Sequence, residues 1–102
     1  MAVQNNKIYV GQTHVTIIVD CLIDLSIAES CKIKYIKPDL STGEWNAVFT
    51  DKNTKSTIEY TPSSALILDQ SGRWTMWAYI LFNDDSEAPG EPFYETIWEE
   101  GT

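Results

Sequence analysis

The feature that most constrains this chain is the run 73–82, in which apolar residues occupy both alternating positions. One set includes Trp74 and Met76, and the other includes Trp77 and Tyr79. Successive side chains of a β-strand point to opposite faces of the sheet, so both faces of this run are apolar. The run therefore predicts a central strand, or a strand whose outer face is covered by another element.

Six further runs have strand-like alternation and are separated by turn residues, with a repeat of about a dozen residues that is typical of sandwiches and barrels. Of the connections, 22–30 has a mixed pattern and 62–68 could form a single turn, and both are too short for an independent helix. The runs 44–50 and 56–61 predict a hairpin around a polar turn. Together the runs predict an all-β, immunoglobulin-like β-sandwich of seven to eight antiparallel strands. The six runs are 7–10, 14–22, 31–37, 44–50, 56–61 and 92–98.

Length and composition indicate one domain. The chain has 102 residues, 43% of them hydrophobic, including four Trp, five Tyr and three Phe, which is enough for a core. No apolar run approaches the ~18 residues of a membrane span, and the first residues lack the order of a signal peptide. We expect one domain over 1–102, with 1–6 and 99–102 loose, that is made in the cytosol and stays there or leaves inside an assembly.

The net charge of −8 is unevenly placed. Seven Asp and Glu residues lie between 84 and 100, and no Lys or Arg follows Arg73. Such a surface repels phosphate backbones, so we do not expect nucleic acid as a partner. The acidic end either keeps the surface hydrated or meets a basic patch on a partner.

The residues that could carry chemistry form no catalytic pattern. Cys21 and Cys31 lack metal-site spacing, so we expect buried free thiols, with a disulfide between neighbouring strands as the alternative. His14, the only histidine, would lie about 23 Å from Cys21 if one strand joined them. The acidic loop at 84–87 lacks the apolar pocket of a glycosidase pair and the Asp/Gly spacing of a calcium loop. We expect no enzyme activity, metal or cofactor.

The segment 68–74, LDQSGRW, is the most specific local pattern. Asp69 lies three residues before Gly72, and Trp74 lies two residues after it. In immunoglobulin-like domains, the corner between the fifth and sixth strands has a carboxylate that bonds local backbone amides and an aromatic ring that enters the core. We therefore predict these two roles for Asp69 and Trp74.

Three segments carry a resemblance to a known family: 8–11 (IYVG), 33–39 (IKYIKPD) and 68–80 (LDQSGRWTMWAYI). They resemble a family of small phage and prophage proteins and are similar to the N-terminal immunoglobulin-like module of baseplate upper proteins in tailed phages of Gram-positive hosts. The resemblance implies a structural role in the tail or virion, with no catalytic residues. It implies other phage structural proteins or further copies of the chain as partners, and a place in the host cytoplasm and then the virion. The two cysteines and the acidic C-terminal segment depart from the family pattern.

The candidate site is the outer face of the run 73–82. If the core takes Trp74, the opposite positions point outward, and the paired third strand brings Lys32 and Lys34 beside them. Either the lysine stems cover the rings, or the rings form a protein interface. Planar rings also bind sugars, but nearby hydrogen-bonding side chains such as Thr75 and Thr96 are sparse, so a carbohydrate-binding module is the alternative. We call the outward residues the aromatic strip: Trp77, Tyr79, Leu81, Tyr94 and Trp98.

Overall fold

The computed structural model describes residues 7–50 and 56–101. Within them the chain forms nine β-strands and no helix, which confirms the all-β prediction. The segment 1–6 and residue 102, which belong to the predicted loose ends, and the predicted polar turn 51–55 lie outside the described part. The strands are β1 (Ile8–Tyr9), β2 (Ile17–Asp20), β3 (Ala28–Ile36), β4 (Thr42–Asn46), β5 (Val48–Phe49), β6 (Thr57–Tyr60), β7 (Gly72–Phe82), β8 (Glu87–Pro89) and β9 (Phe93–Trp98).

The strands form two sheets. The larger has the order β1-β9-β7-β3-β4, with β8 also paired to β7, and the smaller has the order β2-β6-β5. With strands lettered as in immunoglobulin domains, β9-β7-β3-β4 and β2-β6-β5 have the G-F-C-C′ and B-E-D orders, and β1 adds a short parallel edge, so the sandwich is immunoglobulin-like. Every pairing is antiparallel except that of β1 with β9, where Ile8 lies opposite Ile97 in a parallel pair.

Two parts of the chain divide differently from the predicted runs. The run 44–50 supplies β4 to the larger sheet and β5 to the smaller, so the chain changes sheets at Ala47. The predicted hairpin is therefore formed by β5 and β6 alone, with Phe49 opposite Ile58. In addition, β8 lies in a segment that the sequence predicts as a loop. These two differences raise the strand number from the predicted seven or eight to nine.

The strands β8 and β9 both pair with the same side of β7, and a β-bulge separates the two pairings. Ala88 lies opposite Ile80, and Phe93 lies opposite Met76, so the register shifts by one residue between them. Between these pairs the Gly90 N–H donates to the Ala78 carbonyl at 2.8 Å. Pro92, which has no N–H to donate to the ladder, lies within the bulged segment.

The predicted strand 14–22 is too long. Only Ile17–Asp20 is extended in a sheet, because His14 and Leu22 have left-handed φ values of 61° and 58°. The continuous strand 14–22 therefore does not exist, so the condition for a 23 Å separation of His14 and Cys21 is not met. His14 lies exposed before β2.

The core lies between the sheets and is built around rings. Trp45 on β4 stacks on Tyr60 on β6, with ring centroids 4.9 Å apart, and this contact joins the two sheets. Trp74 on β7 lies 6.0 Å from Trp45 and is completely buried. Aliphatic side chains fill the space around them, among them Ile17, Val19, Ile33, Ile58, Met76 and Ile80.

The corner at 68–74 follows the prediction for Trp74 but not for Asp69. Trp74 enters the core, and its Nε1–H donates to the Gln70 carbonyl at 3.0 Å. The Asp69 carboxylate accepts hydrogen bonds from Lys37 Nζ at 2.9 and 3.1 Å instead of from neighbouring amides. The Gln70 side chain donates to Asp39 Oδ2 at 2.8 Å. The corner is thus held by the turn between β3 and β4, some thirty residues away.

Candidate functional site

The outer face of the larger sheet is the side turned away from the core, and β7 runs through its centre. Trp77, Tyr79 and Leu81 lie half-buried on this face, whereas Trp74 on the opposite face is buried. The predicted division of β7 into two faces is confirmed. The three outward side chains therefore form an apolar row in the middle of a sheet face that no other strand covers within residues 7–50 and 56–101.

The two lysines lie where the predicted pairing puts them. Lys34 lies opposite Trp77, and Lys32 lies opposite Tyr79. The Lys34 Nζ is 3.9 Å from the centroid of the Tyr79 ring, a cation–π contact. Lys32 forms an ion pair with Glu44 on β4, and the hydrogen bond from Lys32, helped by the charge of Lys34, lowers the pKa of Glu44. Glu44 is thus paired with Lys32, and Lys34 acts on it only through its charge at longer range.

The outer positions of β9 continue the strip. The side chains of Tyr94 and Trp98 are 61% and 38% exposed. The Arg73 guanidinium lies 4.4 Å from the centroid of the Tyr94 ring, and Lys7 Nζ lies 4.2 Å from that of Trp98. The sequence analysis missed these two cations. Alternation puts Arg73 on the face of Trp77, but its ring partner follows only from the register of β7 with β9.

A shallow, mainly apolar pocket of about 330 Å³ opens on the outer face beside Trp77. It exists because the bulge leaves Trp77 without a partner residue in either β8 or β9. The sequence analysis did not predict it, because the bulge lies in a segment read as a loop. We call it the Trp77 pocket; its lining residues are Ile36, Thr75, Trp77, Pro89, Gly90 and Pro92.

One end of the strip is tied to an acidic residue. Hydrogen bonding to Glu87, the first residue of β8, raises the pKa of Tyr79. Leu81 lies directly opposite Glu87 in the ladder. The carboxylate therefore borders the strip at the end that leads into the turn between β7 and β8.

Both cysteines are free, as expected. Cys31 is buried and Cys21 is half-buried. Burial raises the pKa of Cys21 to about 11 and that of Cys31 to about 12. Because the thiolate is the nucleophilic form of cysteine, and both thiols stay protonated at neutral pH, neither is activated as a nucleophile.

Two further pockets lie away from the outer face. One, of about 520 Å³, lies between the end of β2 and residues 89–93 and has Cys21 in its wall. The other, of about 580 Å³, lies beside the corner and is bordered by Asp69 and Glu99. No group of three or more His, Cys, Asp or Glu is placed to hold a metal ion in the described ranges 7–50 and 56–101. In the acidic loop, Asp84 accepts a hydrogen bond from the Ser86 amide at 3.0 Å.

Comparisons with protein-family models, curated proteins and solved structures give no match to this chain. The resemblance to phage modules therefore stays a prediction that rests on three sequence segments. In the part of the chain that the structure describes, no helix could cross a membrane. The functional assignment thus depends on what the outer face can do.

Proposed function

We propose that this chain is a non-enzymatic contact module, a structural or adaptor component that acts through the outer face of its larger sheet. The observation that carries this proposal is the aromatic strip, because antiparallel sheets of small sandwiches usually present polar residues to water. Trp and Tyr are enriched at the centres of protein interfaces, where they combine large contact areas with few rotatable bonds. An apolar strip rimmed by charges is typical of such a surface.

The setting we propose is a phage or prophage particle, in its tail or baseplate. The three segments that resemble baseplate modules support this setting. The partners would be other structural proteins of the particle, or further copies of the chain, met first in the host cytoplasm and then in the virion. Genomic context tests this part: neighbouring genes for tail or capsid components would support it, and their absence would contradict it.

A carbohydrate-binding module is the second candidate, and one observation favours it. Thr75 lies opposite Tyr94, and Thr96 lies opposite Arg73, all on the outer face. Hydroxyl and guanidinium groups beside an exposed ring can bond sugar hydroxyls while the ring stacks on the sugar. The polar groups are few, however, so the apolar strip favours a protein partner.

The test compares outer-face variants with a variant elsewhere on the surface. Trp77→Ala and Tyr94→Ala should abolish self-association in sedimentation experiments, or capture of the tail proteins encoded by neighbouring genes. Leu66→Ala is the matched control, since Leu66 is an apolar residue, 82% exposed, in the connection between β6 and β7. If folded Trp77→Ala and Tyr94→Ala retain both properties, the proposed interface is wrong.

The same preparation separates the two candidates. Titration with oligosaccharides while following Trp fluorescence should give a flat response if the strip contacts proteins. A saturable shift that disappears in Tyr94→Ala would favour the sugar-binding alternative.

A further inference from the structure

We infer that the Trp77 pocket and the cations beside it bind a short acidic segment of a partner protein, with an apolar side chain in the pocket and carboxylates on Lys34 and Arg73. This inference rests on the proposed function, because it specifies the partner chemistry of the same face. It is carried by the distribution of charge, by the cation–ring contacts and by the spacing of the groups.

The outer face concentrates the positive charge of an acidic chain. The whole chain has a net charge of −8, with only seven Lys and Arg. The described residues include five Lys and Arg side chains, and four of them lie on the outer face. The fifth, Lys37, lies outside this face and is paired with Asp69. The outer face thus has a local excess of positive charge, which favours an acidic partner. Its cations are Lys7, Lys32, Lys34 and Arg73, and the carboxylates among them are Glu44 and Glu87.

The cations beside the pocket are held by rings instead of carboxylates. Among the described residues, neither Lys34 nor Arg73 forms an ion pair within 4 Å, and each lies over a tyrosine ring. A cation over a ring keeps N–H donors available to a second partner, and a guanidinium has five of them. Because the ring restricts the side chain before binding, less entropy is lost when a carboxylate arrives.

The spacing suits an extended segment. Lys34 is the cross-strand neighbour of Trp77, and Arg73 lies four residues before Trp77 on the same face of β7, about 13 Å along the strand. An extended peptide presents side chains to one face every two residues, about 6.7 Å apart. Acidic residues about four positions apart, with an apolar residue between them, would therefore reach both cations and the pocket.

A second copy of this chain fits less well than an acidic segment. A two-fold contact places the same patch of each copy against the other, so the cations of one copy would approach those of its partner. A foreign acidic segment avoids this repulsion. The overall negative charge of the chain opposes binding of an acidic segment only weakly, because charges farther than about 8 Å are screened at physiological ionic strength.

Selection of a random twelve-residue peptide library against the purified, folded chain tests the chemistry without a known partner. We expect enriched peptides to carry an apolar residue flanked by Asp or Glu. A synthetic copy of the leading peptide should bind in fluorescence polarisation, and its affinity should fall about tenfold or more in the double variant Lys34→Gln, Arg73→Gln. It should fall similarly in Trp77→Ala.

The control is the double variant Ser63→Glu, Leu66→Glu, which lowers the net charge by the same two units at exposed sites between β6 and β7. We expect the affinity of this control variant for the leading peptide to change less than twofold. Neutral or basic enriched peptides, no enrichment, or unchanged affinity in the glutamine variant would each overturn the inference. If Trp77→Ala still abolishes self-association or tail-protein capture in any of those cases, the outer face remains the proposed interface, and only the inference of an acidic partner segment is rejected. If Trp77→Ala has no effect on those contacts, the proposed function fails as well.

Discussion

Trp74 and Trp77 lie three residues apart on β7 and have opposite surroundings. Trp74 is completely buried against the rings of Tyr35 and Trp45, and its indole N–H donates to the Gln70 carbonyl. Trp77 is half-buried on a face that no other described strand covers, beside a pocket lined by two prolines. The same residue type on one strand thus stabilises the fold on one side and is available for contact on the other. Alternation assigns the face, but the second sheet decides which face becomes the core.

The largest expected effect concerns the inner tryptophan. Trp74→Ala should lower the free energy of unfolding by about 3–5 kcal/mol, because it removes a fully buried ring and leaves a cavity. Urea denaturation measures the change. A loss below about 1 kcal/mol would mean that the two faces of β7 are wrongly assigned.

The next effect concerns Gly72, which lies two residues before Trp74 in the corner. Gly72 has a φ of 121°, and a Cβ there would lie 2.9 Å from Pro38 Cγ. Gly72→Ala should therefore cost about 1–3 kcal/mol, from backbone strain and from displacement of the β3–β4 turn. Gly101→Ala is the control, since Gly101 has a φ of 89° but no atom within 4 Å of its added Cβ. Equal losses of stability in the two variants would show that contact with Pro38 is unimportant.

A smaller effect on stability is expected at the outer tryptophan. Trp77→Ala removes a half-buried ring, so the free energy of unfolding should fall by only about 1–2 kcal/mol. The ratio of this loss to that of Trp74→Ala, measured in the same denaturation experiment, compares the faces directly. Equal losses would indicate that the outer face is as important to folding as the core.

The smallest effect depends on pH and concerns Glu95, which lies opposite Trp74 on β9. Its Oε1 is buried without a hydrogen-bond partner among the described residues, and burial raises the pKa of the carboxyl. At pH values below the unfolded-state pKa, the Glu95 carboxyl is protonated in both the folded and the unfolded protein, so no buried charge lowers the free energy of unfolding. As pH rises from that value through the raised folded-state pKa, the folded protein must hold a buried charge, so stability falls.

Glu95→Gln should therefore increase stability relative to the unchanged chain at pH 7, by less than about 1 kcal/mol, and have less effect at pH 4. Thermal denaturation at both pH values measures the difference. If the stability gained by Glu95→Gln were smaller at pH 7 than at pH 4, the result would contradict a raised pKa for Glu95. Glu91→Gln, at an exposed site in the bulge, is the matched control.

The sequence predicts those features that depend on strand alternation. The period of two fixes which residues of β7 share a face, whatever strands lie beside them, so Trp74 inside and Trp77 outside follow directly. The placement of Lys34 beside Trp77 also follows, because it requires only that two strongly patterned runs pair. These features are local, or depend on a single pairing.

The features that were missed depend on partners distant in sequence. Asp69 bonds Lys37, which is 32 residues away, and no local pattern reveals that choice. The pocket beside Trp77 requires a bulge in a segment whose prolines and acidic residues indicate a loop. Arg73 finds the Tyr94 ring only through the register of β7 with β9.

The four tryptophans provide the most direct test of the central claim, that the outer face makes the contacts while the inner face forms the core. Trp45 and Trp74 are buried between the sheets, and Trp77 and Trp98 lie on the outer face. In nitrogen-15 NMR spectra of the labelled chain, their indole signals can be followed as a neighbouring-gene tail protein, or unlabelled chain, is added. We predict that the signals of Trp77 and Trp98 shift or broaden while those of Trp45 and Trp74 stay in place. Shifts confined to Trp45 and Trp74, or none at all, would contradict the account.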